Sequence, residues 1–347
     1  MEPESKVFVT GATGFIGTRL VHALVDRGHT VRALSRRADP EPPPGFDGPA
    51  GGPLRHERVE LVRGDIADCD SLTRGMEGCR YVFHLAAYAK NWAREAQTFF
   101  DVNVQGMKNV FDTARLLNVQ RIVWTSTIVA FGPTPPGVVG NEDMPRITDH
   151  YYTEYEESKA LAEKAALRYA EEGLPVVIVN PTRVYGPGHL TEGNAVAQMI
   201  RQYDQGKMPV LLNRGVNVGN YVLVDDVVAG HILAMERGRV GQRYILGGQN
   251  ASLKEFFKTI DQVSGKRHRQ IPILGFAPLV FAYFQKKRAD WFNIYPQITP
   301  GWVKTFLVDW TYSCEKAQRE LGYRPTPLAE GIGITYQWLR RVGEEAS

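Results

Sequence analysis

Three features are scarce in this chain of 347 residues, and each scarcity removes a class of protein. Cysteine is the first. Cys69, Cys79 and Cys314 show no metal-ligand spacing and cannot all pair with one another, so neither a disulfide framework nor a bound metal is expected. Free thiols in a reducing compartment are the plain reading. Charge of one sign is the second: 41 Lys plus Arg against 38 Asp plus Glu leave +3, too slight an excess for a nucleic-acid partner. Long apolar runs are the third. The longest, Ile271 to Phe284, is broken by two prolines and falls short of the roughly 20 residues that a spanning helix needs. The amphipathic character of Pro272 to Phe284 leaves weak contact with a membrane surface open. The polar start, Met1 to Ser5, lacks the pattern of a secretory signal, and a cytoplasmic location is expected.

What is present is organised around Lys6 to Gly17. A β-branched and aromatic run, Lys6-Val7-Phe8-Val9-Thr10, leads straight into Gly11-Ala12-Thr13-Gly14-Phe15-Ile16-Gly17, and apolar residues of helical period follow. That is a strand, a tight turn and a helix start. Gly11 lets the chain turn off the strand, Gly14 lets the backbone approach phosphates, and Gly17 lets the helix pack closely on the sheet. Amides and dipole at the helix start then face an anion, so a dinucleotide pyrophosphate site is expected there.

Further strands are expected at His29 to Leu34, Val59 to Val62, Tyr81 to Leu85, Arg121 to Thr125 and Pro175 to Val179. Helices are expected from Ala93 to Leu117 and from Tyr152 to Glu171, and a proline- and glycine-rich surface loop from Asp39 to His56. Asn220 to Arg237 reads as strand then helix with Asp225 as N-cap. The alternation argues for an α/β fold: a Rossmann-type, doubly wound parallel sheet with a smaller C-terminal substrate-binding domain. The division expected is a dinucleotide-binding domain over 1–180, to which 216–238 returns, and a substrate-binding domain over 181–215 and 239–347.

In such a sheet ligands lie at the carboxyl ends of the strands. The second strand ends in Ser35-Arg36-Arg37, where a site for NAD usually places an acidic residue. A carboxylate repels a 2′-phosphate and a guanidinium pairs with it, so NADP is favoured, with NAD as the other cofactor to consider. A solvated arginine pair beside a loop is the plain alternative. Tyr155 and Lys159 stand four apart on a helix and share a face. A neighbouring ammonium favours tyrosinate and suits the phenol to acid–base work. Strand five ends in Ser126-Thr127, either of whose hydroxyls can hold a substrate oxygen.

With these residues in view, the chain resembles the extended short-chain dehydrogenase/reductases of the NAD(P)-dependent epimerase/dehydratase superfamily. The resemblance rests on the glycine turn, Gly64-Asp65-Ile66, His84-Leu85-Ala86-Ala87, the strand-five hydroxyls and the Tyr155/Lys159 pair. It continues through Asn180-Pro181-Thr182-Arg183-Val184-Tyr185-Gly186-Pro187-Gly188, Tyr221 to Val227 and Glu320 to Pro325. Within the superfamily it is most similar to proteins of the dihydroflavonol 4-reductase and 3β-hydroxysteroid dehydrogenase kind, and it lacks the Arg-Asp-Phe that sugar-nucleotide epimerases carry before Asp225-Asp226.

The resemblance implies cofactor contacts at Gly11, Thr13, Gly14, Phe15, Ile16, Gly17, Ser35, Arg36 and Arg37. It implies others at Asp65, Ile66, Leu85, Ala86, Ala87, Asn103, Tyr155, Lys159, Pro181 and Val184. It also implies hydride transfer between NADP(H) and a small-molecule carbonyl/alcohol pair, with Tyr155 as general acid/base, Lys159 beside it, and Thr127 or Ser126 on the oxygen. Thr127 stands where the family usually has serine, Asn180 where it has arginine and Met107 where it has threonine. A homodimer through the Ala93 to Leu117 and Tyr152 to Glu171 helices is implied as well. Trp92, Phe131, Tyr185, Phe276 and the aromatics from Tyr283 to Trp302 either line an apolar substrate pocket or pack as core and lid. Two other functions remain: a nucleotide-sugar epimerase or dehydratase that recycles its cofactor, and a non-catalytic dinucleotide sensor. The sensors commonly lose the tyrosine or the lysine, and both are present here.

Overall fold

A computed structural model describes residues 1–38, 40, 52, 54–273 and 276–345, so most of the expected loop from Asp39 to His56 lies outside the described residues. The strands are β1 (Lys6–Thr10), β2 (Thr30–Ser35), β3 (Val59–Arg63), β4 (Tyr81–His84), β5 (Arg121–Thr125) and β6 (Val176–Pro181). They continue with β7 (Arg183–Tyr185), β8 (Val210–Leu212), β9 (Val218–Leu223), β10 (Arg243–Leu246), β11 (Gln249–Ser252) and β12 (Ile271–Ile273). The first helices are α1 (Phe15–Asp26), α2 (Cys69–Met76), α3 (Gln97–Phe100), α4 (Gly106–Leu116), α5 (Glu154–Glu171) and α6 (Ala195–Asp204). The rest are α7 (Val224–Arg237), α8 (Leu253–Ser264), α9 (Phe276–Phe292), α10 (Pro300–Thr305), α11 (Glu315–Leu321) and α12 (Leu328–Glu345).

Among the described residues seven parallel strands form one sheet in the order β10-β6-β5-β4-β1-β2-β3. Side chains alternate across a strand, so β1 sends Val7 and Val9 to one face and Phe8 to the other. On the first face α1, α7 and α11 bury Leu20, Val21, Val227, Ile232 and Leu321; on the second α2, α4 and α5 bury Leu72, Phe111 and Ala162. This is the doubly wound Rossmann arrangement. The strand order reverses between β1 and β4, and a crevice opens at their carboxyl ends.

A third core joins β9 to α6, α8 and α12, where Tyr221 stacks on Phe256 at 4.5 Å and Ile200, Ile260 and Ile332 are buried. Smaller sheets, β11-β9-β7 and β12-β8, lead the chain into and out of this part.

Several local expectations are corrected. The helix expected from Ala93 starts at Gln97 and contains a π-helical turn, Asp101–Gln105, before α4. Asp225 is not the cap of α7: Leu223 occupies that position, and Asp225 lies in the first turn, favourably placed for the helix dipole. The amphipathic stretch from Pro272 resolves into strand and helix, and α9 turns several large apolar side chains to solvent. Ala282 and Ala289 face inward, while Val280, Phe284 and Trp291 on the opposite side are between 67% and 73% exposed. No helix among the described residues is long and apolar enough to cross a membrane.

Candidate active site

The turn after β1 is shaped by its glycines. Gly11 has φ +70°, and a Cβ there would come within 2.6 Å of the Ala86 nitrogen; a Cβ on Gly17 would come within 2.0 Å of the Gly11 oxygen. Thr10 Oγ1 pairs with His84 Nδ1 at 2.6 Å and accepts from the Ala86 amide, which ties the ends of β1 and β4 together. At Gly14 a Cβ would meet only the Gly11 oxygen, and Thr13 and Gly14 are exposed. Whereas α2, α5 and α8 are capped by Asp68, Thr153 and Ser252 and carry acids in their first turns, α1 has neither a side-chain cap nor a first-turn acid. An open, uncapped N-terminus behind bare backbone fits a dinucleotide pyrophosphate.

Beyond the turn lies a cavity of about 330 Å³. It brings together Ile16, Leu85, Ala87, Ser126, Thr127, Tyr155, Lys159, Pro181 and Val184 from the residues expected at the site. Asp65, Ile66, Asn103 and the Ser35-Arg36-Arg37 run lie outside the cavity lining. Ser35 folds back on its own turn, its Oγ donating to the Arg37 carbonyl at 2.8 Å, and the side chains of Arg36 and Arg37 are exposed. Asp65 accepts from the Ala67 amide at 2.9 Å. Ile66 packs in the core against Gly106. Asn103, in the π-helical turn, accepts from the Tyr88 amide at 2.7 Å and donates to Ser158 Oγ at 2.9 Å, bracing the chain after β4 against α5.

Tyr155 and Lys159 lie one turn apart on α5, whose start is fixed by Thr153 accepting from the Glu156 amide. Burial pushes the Tyr155 phenol up to about 12, while a hydrogen bond with Thr127 works in the opposite direction. This differs from the expected lowering by Lys159, because desolvation of the buried phenol is the leading cause. Lys159 is 2% exposed, and its Nζ donates to the Thr125 carbonyl at 2.7 Å and sits 4.6 Å from the Trp124 ring. Burial pulls its ammonium down to about 7, opposed by the charge of Glu163.

The two strand-five hydroxyls are separated by their partners. Thr127 Oγ1 accepts from the Val129 amide at 3.5 Å and lines the cavity with Tyr155, whereas Ser126 Oγ donates to Glu163 Oε2 at 2.5 Å. Glu163 was not anticipated. It accepts from Asn180 Nδ2 at 2.6 Å and from Arg243 Nη1 at 3.2 Å, and Asn180 Nδ2 also donates to the Thr127 carbonyl at 3.2 Å. A buried carboxylate thus sits one turn beyond Lys159, and the continued spacing Tyr155-Lys159-Glu163 is the sequence signal that could have found it.

Residues 7–247 match the family described as NAD dependent epimerase/dehydratase. The chain belongs to that family. This family member is 31% identical to a putative dihydroflavonol 4-reductase of Synechocystis over 97% of its own length and 95% of the relative's. It superposes on the crystal structure of gox2253 with a TM-score of 0.79 at 31% identity, covering 98% of this chain and 99% of that one. A UDP-glucuronic acid 4-epimerase from Bacillus cereus, in complex with NAD, shares the fold with a TM-score of 0.74 at 22% identity, covering 97% and 99% of the two chains. The family member is therefore an NAD(P)-dependent oxidoreductase of the extended short-chain type.

Proposed function

We propose that the protein is an NADP(H)-dependent reductase acting on a ketone or aldehyde of modest polarity. The observation that carries the reading is that Thr127, Tyr155 and the buried Lys159 line one cavity. A bound nicotinamide supplies hydride to the carbonyl carbon. Tyr155, which keeps its proton well above neutrality, is then in the donor form and protonates the developing alkoxide. Thr127 holds the same oxygen, and Lys159 in its charged form stabilises the tyrosinate left behind. Ser126, engaged by Glu163, serves to keep the end of β5 in place.

NADP is supported by the exposed Arg36 and Arg37 at the end of β2 and by the lack of an acid there. One relative is a putative dihydroflavonol 4-reductase, and Trp302, Phe306 and Trp310 in the cavity lining suit a ring substrate.

The test is a titration with NADPH and NADH followed by a carbonyl panel scored for net cofactor oxidation. A reductase consumes added NADPH, whereas an epimerase recycles its cofactor and shows no net change. Arg36→Ala is expected to weaken NADPH binding by about 1.5–3 kcal/mol, roughly ten- to a hundredfold, with NADH nearly unchanged. Equal losses for both would defeat the NADP assignment. A homodimer through the outer faces of α4 and α5 belongs to the same reading and is read by sedimentation equilibrium.

A further inference from the structure

Arg183, the first residue of β7, lines the same cavity. Its guanidinium lies 4.3 Å from the Phe306 ring and 5.6 Å from the Tyr221 ring. Nη1 donates to Tyr221 Oη and Nη2 to the Thr305 carbonyl, each at 3.3 Å. Gly219 on β9 makes the room: a Cβ there would fall 2.5 Å from Nη1. Both hydrogen bonds are long and both acceptors are neutral, so most of the donor fork is uncommitted.

Among the described residues no carboxylate forms an ion pair with Arg183. The two glutamates that line the cavity are engaged elsewhere. Glu192 accepts from the Asn91 amide and from Tyr295 Oη, each at 2.7 Å; Glu156 pairs with Arg146 and accepts from the Tyr152 amide at 2.8 Å. A guanidinium held between a ring and a bare strand, partly removed from water and without an ion-pair partner among the described residues, suits a planar anion.

We propose that Arg183 binds a carboxylate on the substrate, so that the preferred substrates are ketones bearing an acidic group within the same small molecule. The proposal rests on the reductase reading and narrows its substrate class.

The experiment uses the full chain and two stable probes, 3-oxo- and 4-oxocyclohexanecarboxylate, each beside its methyl ester. Binding is measured by calorimetry and turnover by NADPH oxidation. In the wild type at least one acid is expected to exceed its ester roughly ten- to a hundredfold in affinity and in kcat/KM, carried by KM. Arg183→Gln is expected to remove that preference, the acid losing roughly ten- to a hundredfold more than its ester, and Arg183→Lys to restore part of it, since the charge returns without the fork. An acid no better bound than its ester at either ring position overturns the inference without any variant. So does a preference that survives in Arg183→Gln. Acids that bind selectively to Arg183 but never oxidise NADPH support the anion site and overturn the reductase reading alone.

Discussion

The two walls of the cavity are held by different means. On one side, β5 and α5 present Thr127, Tyr155 and Lys159, backed by a buried network in which Glu163 joins Ser126, Asn180 and Arg243 through bonds of 2.5, 2.6 and 3.2 Å. On the other, Arg183 sits over the Phe306 ring and makes two bonds of 3.3 Å, to Tyr221 Oη and the Thr305 carbonyl, while Trp302 packs on Phe306. The first wall is tied by hydrogen bonds to a buried carboxylate, which hold side chains in place as proton transfer demands. The second tolerates variation, because ring contacts and long neutral bonds each contribute little. If reaction type and substrate choice are lodged in these separate parts of one cavity, as proposed, substitutions on each wall should fail in separate ways.

The largest effect is expected at Tyr155→Phe. Loss of the proton donor should lower kcat by about 10²- to 10⁴-fold with NADPH affinity unchanged, measured by steady-state turnover beside a fluorescence titration. Retained turnover would place the acid elsewhere and break the contrast.

Glu163→Gln should be intermediate and should register in two readouts. Removing the carboxylate from Ser126, Asn180 and Arg243 is expected to cost about 1–3 kcal/mol in denaturant unfolding. It should also shift the Lys159 ionisation further down, because the Glu163 charge is what raises it. The sign in the wild type follows from linkage. The folded value of about 7 lies below the unfolded lysine value, so unfolding takes up a proton between the two, and the stability contributed here rises with pH across that interval. The slope from this one group is at most about 1.4 kcal/mol per pH unit. An unchanged pH profile in Glu163→Gln would reduce the carboxylate to packing.

The smallest effect belongs to the second wall. Phe306→Leu removes the ring beneath Arg183 and should cost about 0.5–1 kcal/mol of acid binding, a few-fold in KM, with kcat close to wild type. A loss in kcat as large as that of Tyr155→Phe would merge the two walls into one machine.

The first wall was far more legible in the sequence than the second. Strand five was expected and found at Arg121–Thr125, and Tyr155 and Lys159 needed only the helical period to be placed on one face. Both are local patterns, set by residues within a few positions of each other. Glu163 escaped because its partners stand at positions 126, 180 and 243, which only the folded sheet brings together. Asn180 looked like a departure from a family pattern; in the fold it binds Glu163 and the Thr127 carbonyl. Arg183 escaped for the same reason, since its ring partner follows it by more than a hundred residues. The π-helical turn at Asp101–Gln105 left no periodic trace: one extra residue per turn looks like an ordinary helix in a short window.

The outward side of α9 has a consequence for the protein's behaviour in a vial. With Val280, Phe284 and Trp291 turned to solvent, kosmotropic salts such as sulfate raise the cost of leaving that side wet. Precipitation on salting-out is therefore expected to begin at this helix, and a mild detergent that coats it to reverse the loss.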